Sequence, residues 1–317
     1  MTDQRIALLA PVPASFLGAG QPDAVVVEVR SQQEAVDACR GATIIVSDWS
    51  GTVIVTADVI AAARDTCRLI QVPASGLDGV DVAAANEAGI PIANCQGLNA
   101  DAVAEWCLWA ALDCLRAFSQ SQARLRDGHW EQVGRTRLGM GQRRVGIVGL
   151  GAVGAATARR FAALGHPVSY WSRSRRPEAF EEELGVTYRP ADELLRGSDI
   201  LVLALSLTDQ TRGWLGRDRL ALLPADAVVI NAARGAVWDG AAVAEAVSTG
   251  GLHGAATDVF SREPPDPDDP VLVADGITIT PHVGAVSVDA VSALLGRVLA
   301  NVDAVLNGGE IEGLVAP

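Results

Sequence analysis

A chain of 317 residues, 49% of them hydrophobic, is long enough for two domains with separate cores and too apolar to be disordered. Its formal net charge of −13 argues against nucleic acid or an anionic membrane surface as a partner. No apolar run approaches the roughly 20 residues needed to cross a bilayer, and the N-terminus has no signal-peptide layout. The five cysteines contain no C-x-x-C motif, so we expect buried, reduced thiols in a cytoplasmic protein.

Strand and helix patterns alternate over the first third of the chain. Such alternation is typical of a parallel sheet with covered faces. This region has no glycine-rich phosphate turn, so we expect it to serve a purpose other than nucleotide binding. The predicted strands are residues 6–9, 24–29, 43–46, 69–72 and 90–92, and the predicted helices are 31–39, 57–64 and 80–88.

One continuous helix is predicted over residues 99–126, where apolar residues recur every three or four positions. It ends near Asp127-Gly128. We expect this helix to act as a hinge and a dimer-packing element; the alternative is a core helix without a special role.

A strand, a glycine turn, a helix and a second strand are predicted over residues 145–148, 149–151, 152–164 and 168–171. In the spacing G-x-G-x-x-G, the first glycine lets the chain turn sharply, and the second leaves no side chain in the way of a pyrophosphate. The third lets the helix pack closely on the sheet. The helix N-terminus then directs N–H groups at the phosphates. We therefore predict dinucleotide contacts at Gly149, Gly151, Ala152, Val153 and Gly154.

The alternation resumes after this unit. Strands are predicted at 186–188, 200–205, 228–231, 254–259 and 277–280, and helices near 192–196, 218–222 and 241–248. A final helix at 287–306 is long enough to return to the first domain. The fold class is therefore α/β, with parallel sheets in two domains: residues 1–99 with 286–317, and an inserted domain of residues 100–285.

Three polar segments follow strands of the inserted domain, where open α/β sheets bind their ligands. Arg234 can grip a carboxylate and polarise a carbonyl, His282 can transfer a proton, and Glu263 can orient the histidine and raise its pKa. Taken singly, each has an ordinary alternative: a surface arginine, the first charge of an acidic loop, or a histidine beside a proline. Taken together, they indicate hydride chemistry on an oxo acid.

These motifs, in this order, resemble the D-isomer-specific 2-hydroxyacid dehydrogenases over nearly the whole chain. The resemblance is carried by GLGAVG at 149–154, NAARG at 231–235, DVFSREP at 258–264, TPHVG at 280–284 and Ser287. NADAVAE at 99–105 and Gly128-His129-Trp130 also resemble family segments.

The resemblance implies a flavodoxin-like substrate domain, an inserted Rossmann domain, an active cleft between them and a homodimer formed through the Rossmann domains. It makes Arg234 the substrate-binding residue, His282 the acid/base and Glu263 its partner. It also implies that N–H groups of Ala74, Ser75 and Gly76 hold the substrate carboxylate. Trp49 stands where family members contact the substrate side chain; the alternative is a partly exposed loop tryptophan. Further cofactor contacts are predicted at Ala232, Asp258, His282 and Gly284.

The strand predicted at 168–171 is followed by Ser172, Arg173 and Ser174, with no carboxylate before Glu178. An NAD site needs an acidic residue here for the ribose hydroxyls, whereas arginine and serine suit a 2′-phosphate. The turn is similar to that of NADPH-preferring glyoxylate/hydroxypyruvate reductases. NADP(H) is therefore the favoured cofactor, and NAD(H) remains possible if the turn is simply solvated.

The predicted function is reduction of a small 2-oxo acid to a D-2-hydroxy acid, with Trp49 favouring larger substrates. One alternative is a dinucleotide-sensing binding protein resembling the corepressors of this family. Another is a dehydrogenase for an unusual acid such as a phosphonate. No metal site is predicted.

Overall fold

The computed structural model describes residues 4–11, 13–18, 24–130 and 137–316. The chain divides into two compact units: Met1–Asn99 with Ser287–Pro317 form unit 1, and Ala100–Val286 form unit 2. Each unit is built around one parallel sheet, which confirms the predicted α/β fold class. Within the described ranges, no helix combines the length and apolar character that a membrane span requires.

The sheet of unit 1 has the strand order β2-β1-β3-β4-β5, the flavodoxin-like order, with every pairing parallel. The carboxyl end of β3 leads to Trp49, and that of β4 leads to the loop containing Ser75. The elements are β1 Gln4–Leu8, α1 Ser15–Gly18, β2 Ala24–Glu28, α2 Gln32–Cys39, β3 Ile44–Val46, α3 Ala57–Ala63, β4 Leu69–Gln71, α4 Val82–Ala88 and β5 Ile92–Ala93.

Unit 2 has a seven-stranded parallel sheet in the order β12-β11-β10-β9-β6-β7-β8. The strand order reverses between β6 and β9, where an open α/β sheet forms its ligand crevice. The elements are α5 Ala100–Arg116, α6 Phe118–Arg126, β6 Val145–Val148, α7 Ala152–Ala163, β7 Val168–Trp171, α8 Glu178–Leu184, β8 Val186–Tyr188, α9 Ala191–Arg196, β9 Ile200–Leu203, α10 Arg217–Leu220, β10 Val228–Asn231, a 3-10 turn at Gly235–Val237, α11 Gly240–Ser248, β11 Gly254–Thr257, α12 Pro270–Val273 and β12 Ile277–Ile279.

The last helix, α13 (Val288–Asn307), belongs to unit 1. Ser287 caps it by accepting a hydrogen bond from the Ala290 N–H. Val298, Val302 and Val305 form one buried stripe that packs in the same core cluster as β1 and β3. Burying each valine stabilises the unit by roughly 1.5–3 kcal/mol at most. Packing of this stripe therefore holds the helix on the sheet.

Successive residues of the central strands of unit 2 face opposite cores. Ile147 of β6 packs in the cluster containing Phe161 of α7, whereas its neighbour Val148 packs with Val243 of α11. Both faces are therefore buried, because helices cover the sheet on both sides. This explains why the strands are continuous apolar runs in the sequence.

The prediction of one continuous helix over residues 99–126 is wrong, because the helix is interrupted at Ala117. That residue has a left-handed φ of 52° and separates α5 from α6. Buried Asp113 holds the break: its main-chain oxygen accepts from Ala117 N at 2.6 Å, and its Oδ1 accepts from Ser119 N at 2.8 Å. The second acceptor caps the new helix, which the apolar periodicity could not indicate.

Several predicted strands end earlier than expected, and three helices, α1, α8 and α12, were not predicted. The strands predicted to end at 205, 259 and 280 end at Leu203, Thr257 and Ile279, where the chain leaves the sheet for the polar segments. Helix α8 escaped prediction because its glutamates obscure the apolar spacing and only Glu181 and Leu184 are buried.

Candidate active site

The glycine turn lies at the point where the strand order of unit 2 reverses. Gly149 has φ +98°, and its N–H donates to the main-chain oxygen of Trp171 at 2.7 Å. A Cβ on Gly149 would lie 2.6 Å from the Ala204 carbonyl oxygen, at the end of β9. A Cβ on Gly154 would lie 2.0 Å from the Gly149 oxygen. Both positions therefore require glycine for the backbone to close.

Gly151 has a different role, because no atom lies within 4 Å of the Cβ position it lacks. It is the N-cap of α7 and provides no side-chain acceptor for the first N–H groups of this 12-residue helix. A pyrophosphate fits such a cradle, since it accepts hydrogen bonds from these N–H groups and is favoured by the helix dipole. The residues present thus fit the phosphates of a dinucleotide.

The turn after β7 contains Ser172, Arg173 and Ser174 beside the glycine turn. The Ser172 hydroxyl donates to the main-chain oxygen of Ser174 at 2.6 Å, which closes the turn. Arg173 is exposed and forms neither a hydrogen bond nor an ion pair with any described residue. This guanidinium is therefore available to an anionic ligand.

Arg234 follows β10 on a loop that is fixed on both sides. Asn231 holds the loop through its Nδ2, which donates to the Arg234 main-chain oxygen at 3.0 Å, and its Oδ1, which accepts from Ala233 N at 3.1 Å. At Gly235 a Cβ would lie 2.0 Å from the carbonyl carbon of Phe260, so this loop packs directly on the loop containing Glu263. The arginine and the carboxylate are thereby brought to one edge of the sheet.

His282 and Glu263 form a direct pair at that edge, with 2.6 Å between Nδ1 and Oε2. The other carboxylate oxygen accepts from Phe260 N at 3.0 Å. An ionised carboxylate only accepts hydrogen bonds, so Nδ1 carries the proton of this bond and Nε2 is left for another partner. The side chains are 44% and 37% exposed, so a ligand can reach them.

The backbone at His282 is strained into a left-handed conformation with φ +54°. Two hydrogen bonds from its N–H hold it there, to the main-chain oxygens of Asp258 at 2.8 Å and Thr280 at 3.1 Å. Such strain at an exposed histidine points to a functional requirement for its direction.

The contact between the two side chains raises the pKa of His282 and lowers that of Glu263. The hydrogen bond to Glu263 raises the pKa of His282, and this outweighs the opposing effects of burial and of the Arg234 charge. Burial raises the pKa of Glu263, but the hydrogen bonds from His282 and Phe260 N lower it further, so that the net shift is downward. The pairing therefore stabilises the protonated form of His282 and the ionised form of Glu263. Arg234 lies close enough to act on both groups electrostatically.

Asp258 organises the segment that presents the histidine. Its Oδ1 accepts from the Thr280 hydroxyl and from Val283 N, and its Oδ2 accepts from Gly284 N, at 2.5, 2.8 and 2.7 Å. The carboxylate is buried and occupied by these bonds, so a direct cofactor contact by Asp258 stays a prediction. Trp106 also braces the segment, since its Nε1 donates to the Thr280 hydroxyl at 2.9 Å. The apolar repeat predicted over residues 99–126 does not indicate this contact.

The loop after β4 in unit 1 offers several N–H groups. Those of Ala74, Ser75 and Gly76 donate to no acceptor among the described residues. The main-chain oxygens of Ala74 and Ser75 accept from Cys95 N at 3.0 Å and Asn94 Nδ2 at 2.9 Å, which fixes the loop. The arrangement is suited to an anion.

Trp49 lies on the loop after β3 and is 41% exposed. The preceding Asp48 is buried and ties the loop together, with Oδ1 accepting from Ser50 N at 2.7 Å and Oδ2 from Thr52 N at 2.9 Å. Its exposure suits either a pocket wall or an ordinary loop position, so its role stays a prediction.

A cavity of about 1100 Å³ in unit 2 lies elsewhere. His253 and Gly276 line it just before β11 and β12, at the amino ends of the strands. His282 follows the carboxyl end of β12, so this cavity is not part of the candidate active site. Among the described residues, no group of three or more His, Cys, Asp or Glu side chains is placed to hold a metal ion.

Comparison with known proteins identifies the family of this chain. The family described as "D-isomer specific 2-hydroxyacid dehydrogenase, NAD binding domain" matches residues 108–284. A glyoxylate reductase of Korarchaeum cryptofilum is 33% identical over 258 residues, which cover 80% of this chain and 77% of the relative. A D-3-phosphoglycerate dehydrogenase of Archaeoglobus fulgidus is 33% identical over 231 residues, 73% of this chain but 44% of the relative.

A solved structure matches almost the whole chain. It is the NADPH-dependent glyoxylate/hydroxypyruvate reductase of Sinorhizobium meliloti in complex with NADP and malonate, with a TM-score of 0.88 and 28% identity. The match covers 99% of this chain and 97% of the other. The protein therefore belongs to the D-isomer-specific 2-hydroxyacid dehydrogenases, enzymes that use a nicotinamide cofactor in the reduction of 2-oxo acids.

Proposed function

We propose that this enzyme reduces a small 2-oxo acid, glyoxylate or hydroxypyruvate, to the D-2-hydroxy acid with NADPH, in a reversible reaction. The observation that carries the proposal is the 2.6 Å pair of His282 and Glu263 at the same sheet edge as Arg234. The substrate class is supported by the relative and the solved structure whose names contain glyoxylate or hydroxypyruvate.

The cofactor would be held by the groups whose geometry fits it. The phosphates would bind at Gly151 and the first N–H groups of α7, and the 2′-phosphate would bind at Ser172, Arg173 and Ser174. Contacts from Ala232, His282 and Gly284 follow from the position of their loops at the carboxyl edge of the sheet. When bound, the nicotinamide supplies the hydride that reduces the carbonyl carbon.

His282 is the proposed proton donor. Its Nδ1 is engaged by Glu263, so Nε2 gives its proton to the carbonyl oxygen as that oxygen gains negative charge. The imidazolium becomes neutral in this step, and the carboxylate of Glu263 keeps the ring oriented throughout. In the reverse direction, neutral His282 takes the proton from the hydroxyl group.

Arg234 is proposed to bind and polarise the substrate. A guanidinium presents several N–H donors in a plane, which suits the carboxylate and the adjacent carbonyl oxygen of a 2-oxo acid. Its positive charge also stabilises the oxygen while negative charge develops there. The fixed loop around Asn231 and Gly235 limits the reorganisation that this requires.

We also propose that the loop of Ala74, Ser75 and Gly76 binds the substrate carboxylate. The support is that its N–H groups have no acceptor among the described residues while its carbonyl oxygens are engaged. Trp49 is the proposed contact for the substrate side chain.

The cofactor assignment to NADP(H) rests on the turn after β7. Arg173 is exposed there, and a guanidinium attracts a 2′-phosphate but gains much less from a neutral ribose hydroxyl. NAD(H) would bind without this charge-assisted contact and is expected to be the weaker cofactor.

A homodimer in the cytoplasm is the proposed working form. Large apolar side chains are exposed on α5 and α6 of unit 2, and a second copy of the chain would cover them. Five free cysteines suit a reducing compartment. Sedimentation should show a dimer for the native chain and a monomer for Phe118→Glu. The exposed apolar residues are Trp109 and Leu112 on α5, Phe118 and Leu125 on α6, and Trp130 shortly after α6.

The function is tested by following loss of NADPH absorbance with a panel of 2-oxo acids. We expect the highest kcat/KM for glyoxylate or hydroxypyruvate, with lower values for branched and aromatic 2-oxo acids and for oxo-phosphonates. Because glycolate is achiral, the configuration should be read from the glycerate formed from hydroxypyruvate, which we expect to be D. Tight NADPH binding without turnover of any panel member would contradict the proposal and favour a sensing role.

A further inference from the structure

A buried carboxylate lies behind the turn that follows β7. Glu181 of α8 is 6% exposed and pairs with Arg175 through two parallel bonds, Nε to Oε1 at 2.9 Å and Nη2 to Oε2 at 2.7 Å. Its Oε1 also accepts from the hydroxyl of fully buried Tyr170 at 2.6 Å. This planar pairing is the strong, directional form of an arginine–carboxylate contact.

The same cluster fixes the backbone of the turn. The Tyr170 hydroxyl accepts from Arg176 N at 2.8 Å, so a residue of β7 fixes the backbone of the turn at Arg176. The Arg176 guanidinium lies over the Phe180 ring, 4.6 Å from its centroid. Two of the three arginines are therefore engaged by α8 and the tyrosine.

Arg173 differs from both of these arginines. It is exposed and has no partner among the described residues, although it belongs to the same short turn. The three arginines of this turn are thus not equivalent, and only the charge of Arg173 is left for an anionic ligand.

We propose that Glu181 is a positioning residue that determines cofactor specificity. It holds Arg175 away from the dinucleotide, so that Arg173 is the only one of the turn's arginines to bind the 2′-phosphate. The inference rests on the proposed use of NADP(H). Glu181 touches neither substrate nor cofactor in this account; it acts by occupying one cation and holding the turn. A single arginine that binds the 2′-phosphate would favour NADP(H) while leaving NAD(H) usable.

The pairing of Glu181 with Arg175 is insensitive to pH near neutrality. The hydrogen bonds from Arg175 and Tyr170 lower the pKa of Glu181 to about 2, despite its burial. Burial and the bond to Glu181 raise the pKa of Tyr170 to about 12. Neither group changes charge near neutrality, so the division of roles among the arginines is constant.

The test measures the ratio of kcat/KM for NADPH to kcat/KM for NADH in Arg175→Ala, Glu181→Gln and the double variant. General loosening of the turn affects both cofactors and cancels in this ratio, whereas a charge near the 2′-phosphate does not. Glutamine keeps an acceptor for Tyr170, which favours folding. Thermal melting and the KM for NADH serve as controls for the integrity of each variant.

Arg175→Ala should leave the ratio within about twofold of the native value, because its charge is already engaged. Glu181→Gln should raise the ratio roughly three- to fivefold, because released Arg175 becomes a second cation for the phosphate. The double variant should lose that gain. A fall in the ratio on Arg175→Ala, or an unchanged ratio in Glu181→Gln, would overturn the inference.

The two proposals fail in different ways. If the native enzyme prefers NADH and Arg173→Ala leaves the ratio unchanged, the assignment to NADP(H) is wrong. If Arg173→Ala lowers the ratio while Arg175→Ala lowers it equally, the cofactor assignment stands and the role of Glu181 is wrong. Should Glu181→Gln not fold, the single variant Arg175→Ala still decides the second question.

Discussion

The proposed proton-donor pair, His282 with Glu263, and the turn after β7 follow strands of one sheet but are built in opposite ways. His282 is held by Glu263 and by two hydrogen bonds from its own N–H, in a strained backbone conformation. Arg173 is exposed and has no partner within the described residues. A proton donor must be aligned with the bond it serves, whereas a charge that selects an anion needs only to be within reach. Changes to the first region should therefore stop turnover, and changes to the second should alter cofactor choice.

The largest effect is expected from His282→Asn. Asparagine tolerates the left-handed backbone at this position but cannot act as the acid. We expect kcat for hydroxypyruvate reduction to fall by about 10³-fold, the usual contribution of a positioned general acid.

The control for that variant is NADPH affinity, which should stay within about twofold of the native value if only the proton step is lost. Trp171 stacks on Trp214 with ring centroids 5.3 Å apart, next to the turn, and provides a fluorescence signal for binding. Retained kcat in His282→Asn would show that another group donates the proton.

A smaller and more selective effect is expected from Arg173→Ala. Loss of a charge-assisted contact should lower kcat/KM for NADPH by about tenfold or more and leave the value for NADH nearly unchanged. The measurement is steady-state kinetics with both cofactors at one ionic strength. Equal losses with both cofactors would indicate a structural role for Arg173 instead.

The smallest effects are expected from alanine substitutions at Gly154 and Gly151, which should differ in kind. At Gly154 a new Cβ meets backbone at 2.0 Å, so Gly154→Ala should lower the free energy of unfolding by roughly 1–3 kcal/mol. At Gly151 the space is open and φ is −79°, so Gly151→Ala should keep its melting temperature. It should raise the cofactor KM roughly fivefold, since the methyl group enters the phosphate cradle. Equal stability losses in both variants would contradict this distinction.

The sequence could predict the parallel sheets and the side chains at their carboxyl edge. Arg234, Glu263 and His282 follow the three consecutive strands β10, β11 and β12, and neighbouring parallel strands bring such residues to one edge without knowledge of any contact. The glycine spacing could likewise predict the tight turn after β6, because its constraint is local backbone sterics.

Other features depend on contacts between distant segments. The break at Ala117 requires the buried carboxylate of Asp113, which an apolar repeat does not reveal. The engagement of Arg175 requires Tyr170 of β7 to meet Glu181 of α8. In the sequence, Glu181 is one of three consecutive glutamates, and only the fold shows which of them is buried. A basic turn was therefore visible, but the division of roles among its arginines was not.

The central claim, that Glu263 and His282 form the proton donor, is tested most directly by the pH dependence of kcat/KM. Reduction needs protonated His282, so its kcat/KM should be full at low pH and fall as pH rises through the raised pKa of this histidine. Oxidation of the hydroxy acid needs the neutral form and should rise over the same range. In Glu263→Gln the hydrogen bond that raises the pKa of His282 is weakened, so both curves should move to lower pH. Curves that coincide in the native enzyme and Glu263→Gln would contradict the account.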